Sequence, residues 1–270
     1  MKKRIGKWLI VILMIYVVAG VLLYLFQNKL LLHPEPLPQD QAYAFSTPFE
    51  ERKVLYDSST MFDIVRFKPL NDSIKKGAVI YFHGNMNNIA YYAHFADNFI
   101  KHGYEVWMMD YPGFGKSTGE ITETMLYIEA DEVYKMVRAA GFTKDSIIIY
   151  GKSLGTGIAA QLASVRDCKK LILETPYYSL TSLVRLVAFI YPVDLLLHYK
   201  MPTHEYLTKV TAPISIFHGT DDGIVPYFNA ERLRKVLKSS DEFITVEEGT
   251  HTNLYSFPLV QKKLDSLLSN

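Results

Sequence analysis

The chain of 270 residues contains a single cysteine, Cys168, so an intramolecular disulfide is excluded. We expect Cys168 to be a small core residue. No set of histidine, cysteine and aspartate residues has the spacing of metal ligands, and we therefore predict no metal site. No Gly-x-Gly-x-x-Gly pattern opens the first helix of the predicted domain, which disfavours a dinucleotide-dependent redox enzyme. We expect the chain to need no cofactor.

An excess of charge is also lacking, because 29 basic and 28 acidic residues nearly balance. A net charge of +1 does not favour nucleic acid or a polyanionic substrate as a partner. Two segments end like a phosphate-binding P-loop, Gly151-Lys152-Ser153 and Gly115-Lys116-Ser117-Thr118. A P-loop needs a further glycine five residues before its second one, where this chain has Ser146 and Asp110. Nucleotide hydrolysis is therefore disfavoured.

One hydrophobic run is long, because the stretch from Trp8 to Phe26 carries no charge. Four basic residues precede it, namely Lys2, Lys3, Arg4 and Lys7. As a helix the run would span roughly 28 Å, close to the hydrocarbon thickness of a bilayer. No Ala-x-Ala-like cleavage site follows, so we expect an uncleaved signal anchor rather than a cleaved signal peptide. The basic flank predicts a single-pass protein with a cytoplasmic N-terminus and its remaining residues on the non-cytoplasmic side.

Composition divides the chain into three parts. Residues 1–27 are predicted to form a basic tail and a transmembrane signal anchor. Residues 28–48 are a predicted linker, since they hold the prolines Pro34, Pro36, Pro38 and Pro48. Residues 49–270 are long enough for one α/β domain with a sizeable core. Within that domain, residues 181–212 are rich in leucine, valine and tyrosine, and they form either a short apolar cap or ordinary packed helices.

Within the domain, short β-branched runs alternate with amphipathic stretches. We expect a hairpin around Asp57-Ser58-Ser59-Thr60, and a long helix from about Thr122 to Ala140. The alternation predicts a mostly parallel sheet with helices on both faces. Ligand sites in such sheets lie at the carboxyl ends of the strands. The residues that follow predicted strand ends are His83, Asp110, Ser153, Glu174, Asp222 and His251.

The strand predicted at 147–150 leads into Gly151-Lys152-Ser153-Leu154-Gly155, which matches Gly-x-Ser-x-Gly. This pattern is typical of the nucleophile elbow, a sharp strand-to-helix turn that exposes a serine hydroxyl above the sheet. Serine is a weak nucleophile until a histidine accepts its proton. Ser153 as a nucleophile therefore requires a histidine and an acid elsewhere in the fold.

His251 is the predicted base, because it follows the last strand in a loop that contains glycine. The other histidines lie in the linker, in predicted helices or variable loops, or directly before a glycine after a strand. The acid that orients His251 is Asp221, Asp222 or, as a weaker candidate, Glu174. The chain order of serine, aspartate and histidine is that of α/β-hydrolases.

A serine nucleophile also needs an oxyanion hole, which consists of two backbone N–H groups. One N–H is expected from Leu154, the residue after the nucleophile. The other is expected from the loop after His83-Gly84, with Asn85 as the first candidate and Met86 as the alternative.

These motifs make the chain similar to the α/β-hydrolase superfamily, and more narrowly to its single-span, membrane-anchored members. The resemblance covers nearly the whole chain and rests on His83-Gly84-Asn85 and on the segments 110–117, 151–155 and 218–226. In this family the acid loop reads Gly-x-x-Asp-x-x-Val-Pro. Laid on Gly219 to Pro226, the pattern implies that Asp222 is the acid.

The resemblance implies a membrane-anchored serine hydrolase that cleaves carboxylic esters or thioesters through an acyl-enzyme. The implied partners are a small-molecule acyl ester or lipid substrate and the membrane. This superfold also hosts peptidases and non-enzymes. The alternatives are therefore a serine peptidase of the same fold and a non-catalytic, membrane-tethered binding protein.

Overall fold

The computed structural model describes residues 2–69 and 75–269. Its helices are α1 (Lys2–Leu31), α2 (Ile89–Tyr92), α3 (Asp97–Ile100), α4 (Glu123–Ala139), α5 (Leu154–Val165), α6 (Leu180–Val187), α7 (Val193–Leu196), α8 (Thr203–Leu207), α9 (Tyr227–Glu231) and α10 (Pro258–Ser269). Its strands are β1 (His33–Pro34), β2 (Phe49–Leu55), β3 (Met61–Phe67), β4 (Gly77–Phe82), β5 (Met86–Asn87), β6 (Tyr104–Asp110), β7 (Ile147–Lys152), β8 (Lys170–Glu174), β9 (Ile214–Gly219) and β10 (Glu242–Val246).

Eight of these strands form one sheet in the order β10-β9-β8-β7-β4-β6-β3-β2. Strand β3 pairs antiparallel with both β2 and β6, and the other neighbouring pairs are parallel. The mostly parallel sheet expected from the sequence is therefore confirmed. Both faces of a parallel sheet need a cover, which explains why its strands read as continuous apolar runs.

The core lies on both faces of this sheet. Along β4, Ile80 and Phe82 pack into one apolar cluster with α4 and α5, while Val79 and Tyr81 pack into a second cluster with α3 and α10. Successive side chains of a strand point to opposite faces, so this single strand contributes to both clusters. The central strands are buried over their whole length, and their carboxyl ends are held in fixed positions.

The apolar run at the N-terminus lies within one uninterrupted helix, α1, which is long and apolar enough to cross a membrane. An anchor and a signal sequence share this property. Helix α1 continues to Leu31, so the residues 28–31 that we assigned to the linker are helical. The helix ends shortly before Pro34, because the residue before a proline disfavours helical backbone.

The segment after α1 lies along the domain. Strand β1 pairs parallel with β5, and Pro36 forms a bridge with Gly115. The N–H of Leu37 donates to the carbonyl of Gly115 at 2.7 Å, and the N–H of Gly115 donates to the carbonyl of Glu35 at 3.1 Å. Residues 33–37 are therefore a fixed part of the fold.

Candidate active site

Ser153 lies at a sharp turn between β7 and α5. Its φ angle of +51° falls in the left-handed region, which is a strained conformation for a residue with a Cβ. The turn brings α5 very close to β4, because a Cβ at Gly155 would lie only 2.2 Å from the carbonyl oxygen of Phe82. A glycine is required there, and the local geometry is that of a nucleophile elbow.

Three side chains from three different strand ends meet at this turn. The Nε2 atom of His251 lies 2.8 Å from Ser153 Oγ, and its Nδ1 atom lies 2.8 Å from Asp222 Oδ2. Asp222 follows β9, and His251 follows β10. The loops after parallel strands converge at one edge of the sheet, so residues 98 positions apart in sequence come into hydrogen-bond contact.

Asp222 is buried and held by more than the histidine. Its Oδ1 atom accepts the backbone N–H groups of Ile224 and Val225 at 2.9 and 2.8 Å. Burial alone would raise the pKa of Asp222, but the hydrogen bond and charge of His251, with the N–H of Val225, outweigh it and hold this pKa below its ordinary value. The carboxylate is therefore ionised at neutral pH, with one oxygen directed at Nδ1.

The other two candidate acids lie elsewhere. Asp221 is exposed, and its Oδ1 accepts the Thr220 hydroxyl at 3.3 Å. Glu174 is buried and forms an ion pair with Lys152, and it also accepts the hydroxyl of Tyr150. Of the three carboxylates that sequence reasoning left open, the structure brings Asp222 to His251.

The loop after β4 lies against the elbow. A Cβ built on Gly84 would lie 3.7 Å from the Cβ of Ser153. Asn85 follows directly, and Met86, the alternative donor, begins β5. Leu154 is the first residue of α5, so its N–H has no partner within the helix. The loop that carries Asn85 and the first turn of α5 thus lie beside Ser153, and the roles of the Leu154 and Asn85 N–H groups stay a prediction.

Comparisons with known proteins agree with this geometry. A family model described as serine aminopeptidase, S33 matches residues 73–205. An esterase of Pyrococcus furiosus aligns over 88% of this chain and 97% of its own, with a TM-score of 0.68 at 15% identity. Est1E of Butyrivibrio proteoclasticus, solved with ferulic acid bound, covers 80% of this chain and 97% of its own, with a TM-score of 0.67 at 18% identity. The chain has the α/β-hydrolase fold, and it is similar to members of the α/β-hydrolase superfamily.

Curated relatives in sequence include alpha/beta hydrolase domain-containing protein 17C. The mouse protein is 28% identical over 166 residues, which are 61% of this chain and 51% of the mouse protein. The Xenopus tropicalis protein is 29% identical over the same length and 52% of its own chain. The chain thus matches about half the length of these relatives. This similarity supports an α/β-hydrolase domain in the matched part of the chain.

The Asp110 to Gly115 loop supports the loop that carries Asn85. Asp110 accepts the N–H of Ile89 at 2.8 Å, and the hydroxyl of Tyr111 donates to the carbonyl of His83 at 2.7 Å. In the sequence this loop is one of the motifs that resemble the family, but the sequence does not indicate a role for Tyr111. The hydrogen bond explains why a tyrosine follows Asp110.

Sequence reasoning also missed a buried polar cluster beside the elbow. The Lys152–Glu174 ion pair lies next to Tyr150, whose hydroxyl is 2.8 Å from that of Tyr255. The position of Glu174 at a predicted strand end was the one indication in the sequence that it belongs to a polar cluster near the site. Because Lys152 directly precedes Ser153, the ion pair fixes the last residue of β7 and with it the start of the turn.

The two histidines that precede glycine lie outside the Ser153–His251–Asp222 chain. His83 Nδ1 lies 2.8 Å from the carbonyl of Gly84, and His218 Nε2 lies 2.9 Å from the carbonyl of Val225. Burial lowers the pKa of His218, so its ring is neutral near pH 7. A neutral ring donates to Val225 from Nε2 and thereby braces the loop that presents Asp222.

Proposed function

We propose that this chain is a membrane-anchored serine hydrolase that cleaves carboxylic ester or thioester bonds of acyl substrates. The observation that carries the proposal is the continuous hydrogen-bond chain from Ser153 through His251 to Asp222, with 2.8 Å at each step. Similarity to the α/β-hydrolase superfamily supports a hydrolase, and the esterases among the structural neighbours support a small-molecule ester as substrate.

In the acylation step, Ser153 Oγ attacks the acyl carbonyl carbon and its proton moves to Nε2 of His251. The carboxylate of Asp222 stabilises the imidazolium. The oxyanion accepts the N–H groups of Leu154 and Asn85. The bond from the carbonyl carbon to the leaving oxygen or sulfur then breaks, and His251 returns the proton to the leaving alcohol or thiol.

In the deacylation step, water takes the place of the leaving group. His251 removes a proton from this water, and the resulting hydroxide attacks the acyl carbon of the Ser153 ester. Collapse of the second tetrahedral intermediate releases the carboxylic acid, and the proton returns from His251 to Ser153 Oγ. No other reactant is needed, so the reaction balances with water alone.

The division of the chain follows the same proposal. Residues 1–27 are the cytoplasmic tail and anchor, residues 28–48 connect it to the domain, and residues 49–270 form the catalytic domain, with residues 181–212 as its cap. The catalytic domain lies on the non-cytoplasmic side. The apolar helix α1 and the basic residues before its uncharged stretch support this orientation.

Two other functions use the same residues differently. A serine peptidase would use the same three side chains, and the description of the matched family model favours this alternative. A non-catalytic binding protein would not need the contact between Ser153 and His251. Rates on p-nitrophenyl esters and on aminoacyl p-nitroanilides separate an esterase from an aminopeptidase, and both classes react with a fluorophosphonate.

Replacement of the serine tests the proposal. We expect Ser153→Ala to abolish fluorophosphonate labelling and to lower the hydrolysis rate by about 10⁴-fold or more. Ser164→Ala is the matched control, because Ser164 lies on the same helix and its hydroxyl donates to the carbonyl of Gln161. Labelling that persists in folded Ser153→Ala would show that another residue is the nucleophile.

A further inference from the structure

Helix α1 makes a close contact with the turn between α6 and α7. The rings of Tyr16 and Tyr191 stack with their centroids 4.7 Å apart. The hydroxyl of Tyr16 donates to the carbonyl of Ile190 at 3.0 Å, and the hydroxyl of Tyr191 donates to the carbonyl of Tyr16 at 3.1 Å. A Cβ on Gly20 would lie 2.8 Å from the Tyr191 ring, so a larger residue would force the turn away from the helix.

The depth of this contact follows from helix geometry. Tyr16 lies ten residues before Phe26, the end of the uncharged run. At about 1.5 Å per residue the separation is about 15 Å, which is half of a hydrocarbon core roughly 30 Å thick. If α1 crosses the bilayer with this run, the turn at Ile190 and Tyr191 reaches the middle of the bilayer.

The turn has the composition that such a position requires. Residues 186–193 carry no charge, and Val187, Phe189 and Ile190 are 83%, 76% and 57% exposed. Exposing a contiguous apolar surface of this kind to water is unfavourable, and such patches mark contacts with a membrane or a partner. The charged residues on either side, Arg185 and Asp194, form an ion pair with each other. Non-helical backbone is tolerated at membrane depth only where its polar groups have partners, and the Tyr16 hydroxyl provides one for Ile190.

An apolar groove lies between α1 and the α6–α7 segment. Its volume is about 310 Å³, at the lower end of the range for small-molecule sites. Leu23 and Leu30 form one wall, and Val184, Val187 and Leu196 form the other. A groove with these walls matches an acyl chain, which offers no hydrogen-bonding groups of its own.

Gln27 is a polar residue in the wall, and it is buried and hydrogen-bonded. Its Nε2 donates to the carbonyls of Tyr24 and Leu196 at 2.9 and 3.2 Å, and its Oε1 accepts the N–H of His198 at 2.7 Å. These bonds tie α1 to the end of α7, so the groove has a fixed width. They also use both N–H donors of the Gln27 amide, so none is left for a polar ligand.

One end of the groove is linked to the loop after β4. Leu31 lines the groove, and its carbonyl accepts Nδ2 of Asn85 at 2.7 Å. The carbonyl of Asn85 in turn accepts the N–H of His33 at 2.8 Å. The last turn of α1 therefore bonds directly to Asn85, which follows Gly84 in the loop that lies against Ser153. A chain lying in the groove would place its head at that position.

We propose that residues 186–193 dip into the bilayer beside α1, and that the groove binds the acyl chain of a membrane lipid, which enters sideways from the bilayer. The ester of this lipid then lies before Ser153, and this last step rests on the proposed hydrolase function. The dip and the occupancy of the groove depend only on α1 crossing the membrane.

Depth is measured on the full chain without any substrate. In a Cys168→Ser background, Phe189→Cys is labelled with the fluorophore NBD and reconstituted in phosphatidylcholine vesicles that contain lipids with a doxyl quencher on the acyl chain. We expect strong quenching, greater for a quencher deep in the chain than for a shallow one. The control is Val165→Cys, an exposed apolar position at the far end of α5 from Ser153, which should not be quenched. Equal quenching at the two positions would overturn the dip.

The groove is tested by two neighbouring residues of α1. Leu23→Trp fills the groove, whereas Leu22→Trp adds the same bulk to an exposed residue outside its walls. The readout is the ratio of kcat/KM for p-nitrophenyl octanoate to that for the acetate. We expect Leu23→Trp to lower this ratio at least tenfold and Leu22→Trp to leave it unchanged. Because both changes lie on α1, the domain core is not altered.

The outcomes separate the two proposals. An unchanged ratio in active Leu23→Trp would overturn the groove as the acyl site. A parent protein that hydrolyses neither ester would instead overturn the proposed function. In that case, crosslinking by a phosphatidylcholine with a diazirine on its acyl chain tests directly whether an acyl chain occupies the groove. Labelled peptides from α6 or α7 in the parent, reduced in Leu23→Trp, would support it, and labelling confined to other segments would refute it.

Discussion

Replacing Asp222 by asparagine tests whether this carboxylate sets the tautomer of His251. Oδ1 of Asp222 accepts two backbone N–H groups, those of Ile224 and Val225. An asparagine must keep its carbonyl oxygen at this position, because its NH₂ group cannot accept a hydrogen bond. The NH₂ group then takes the position of Oδ2 and faces Nδ1 of His251, 2.8 Å away.

A donor at that position forces the imidazole into the wrong tautomer. Nδ1 must accept a hydrogen bond, so the proton of the neutral ring moves to Nε2. A protonated Nε2 cannot accept the proton of Ser153. The equivalent change in a well-studied serine protease lowers kcat by about 10⁴-fold, and we expect a similar loss here, equal to about 5 kcal/mol of activation free energy.

The assay is kcat on a p-nitrophenyl ester, with the melting temperature measured in parallel. Asp221→Asn is the matched control, because it removes the same charge from the adjacent, exposed residue. We expect little change in the control. A folded Asp222→Asn enzyme that keeps a tenth or more of the parent kcat would refute the tautomer argument. A large loss in Asp221→Asn alone would place the acid one residue earlier.

Three further predictions concern stability and topology. Burial, and then the charge of Asp110, raises the pKa of Glu129, whose carboxylate oxygens lack hydrogen-bond partners among the described residues. Because its pKa is raised in the folded state, Glu129 disfavours folding least below the ordinary pKa of a carboxyl group, and the free energy of unfolding falls as the pH rises above it. Glu129→Gln should therefore raise the melting temperature at pH 8 far more than at pH 5. An equal effect at the two pH values would contradict this. Gly155→Ala should unfold the elbow or strongly lower the melting temperature, because its Cβ would overlap the Phe82 carbonyl; a normal melting temperature would count against the tight turn. A C-terminal reporter should be accessible from the non-cytoplasmic side, and a cytoplasmic signal would reverse the orientation.

The sheet and the position of the site could be predicted because both depend on local patterns. A buried strand such as β7 is continuous in sequence, and Gly151 and Gly155 signal the turn that follows it. The loops after parallel strands share one edge, so the approach of His251 to Ser153 follows from the order of the elements. Choosing Asp222 over Asp221 required the family pattern, since neighbouring residues on a loop have no periodicity that tells their directions apart.

The contacts of α1 could not be predicted, because they join residues that are far apart in sequence. Composition shows that the run from Trp8 to Phe26 is apolar, but it does not reveal a partner for Gln27, the polar residue that follows. The structure instead buries Gln27 and uses it to tie α1 to a segment about 170 residues later. Prolines at 34 and 36 correctly signalled extended backbone, but extension does not reveal the edge at Asn87 and Gly115 along which that backbone lies.

Under the proposed anchoring, the position where α1 ends predicts the orientation of the domain relative to the membrane. Leu31 bonds to Asn85, which comes just after the carboxyl end of β4. Helix α5 begins beside Ser153 at the same edge and runs away from it. If α1 crosses the bilayer, the edge that carries Ser153 must face the membrane, whatever the length of the segment that follows. For a soluble substrate this orientation would only restrict access. For an acyl chain that never leaves the bilayer, it brings the ester to Ser153 without transfer of the chain through water, which would cost about 0.8 kcal/mol for each methylene.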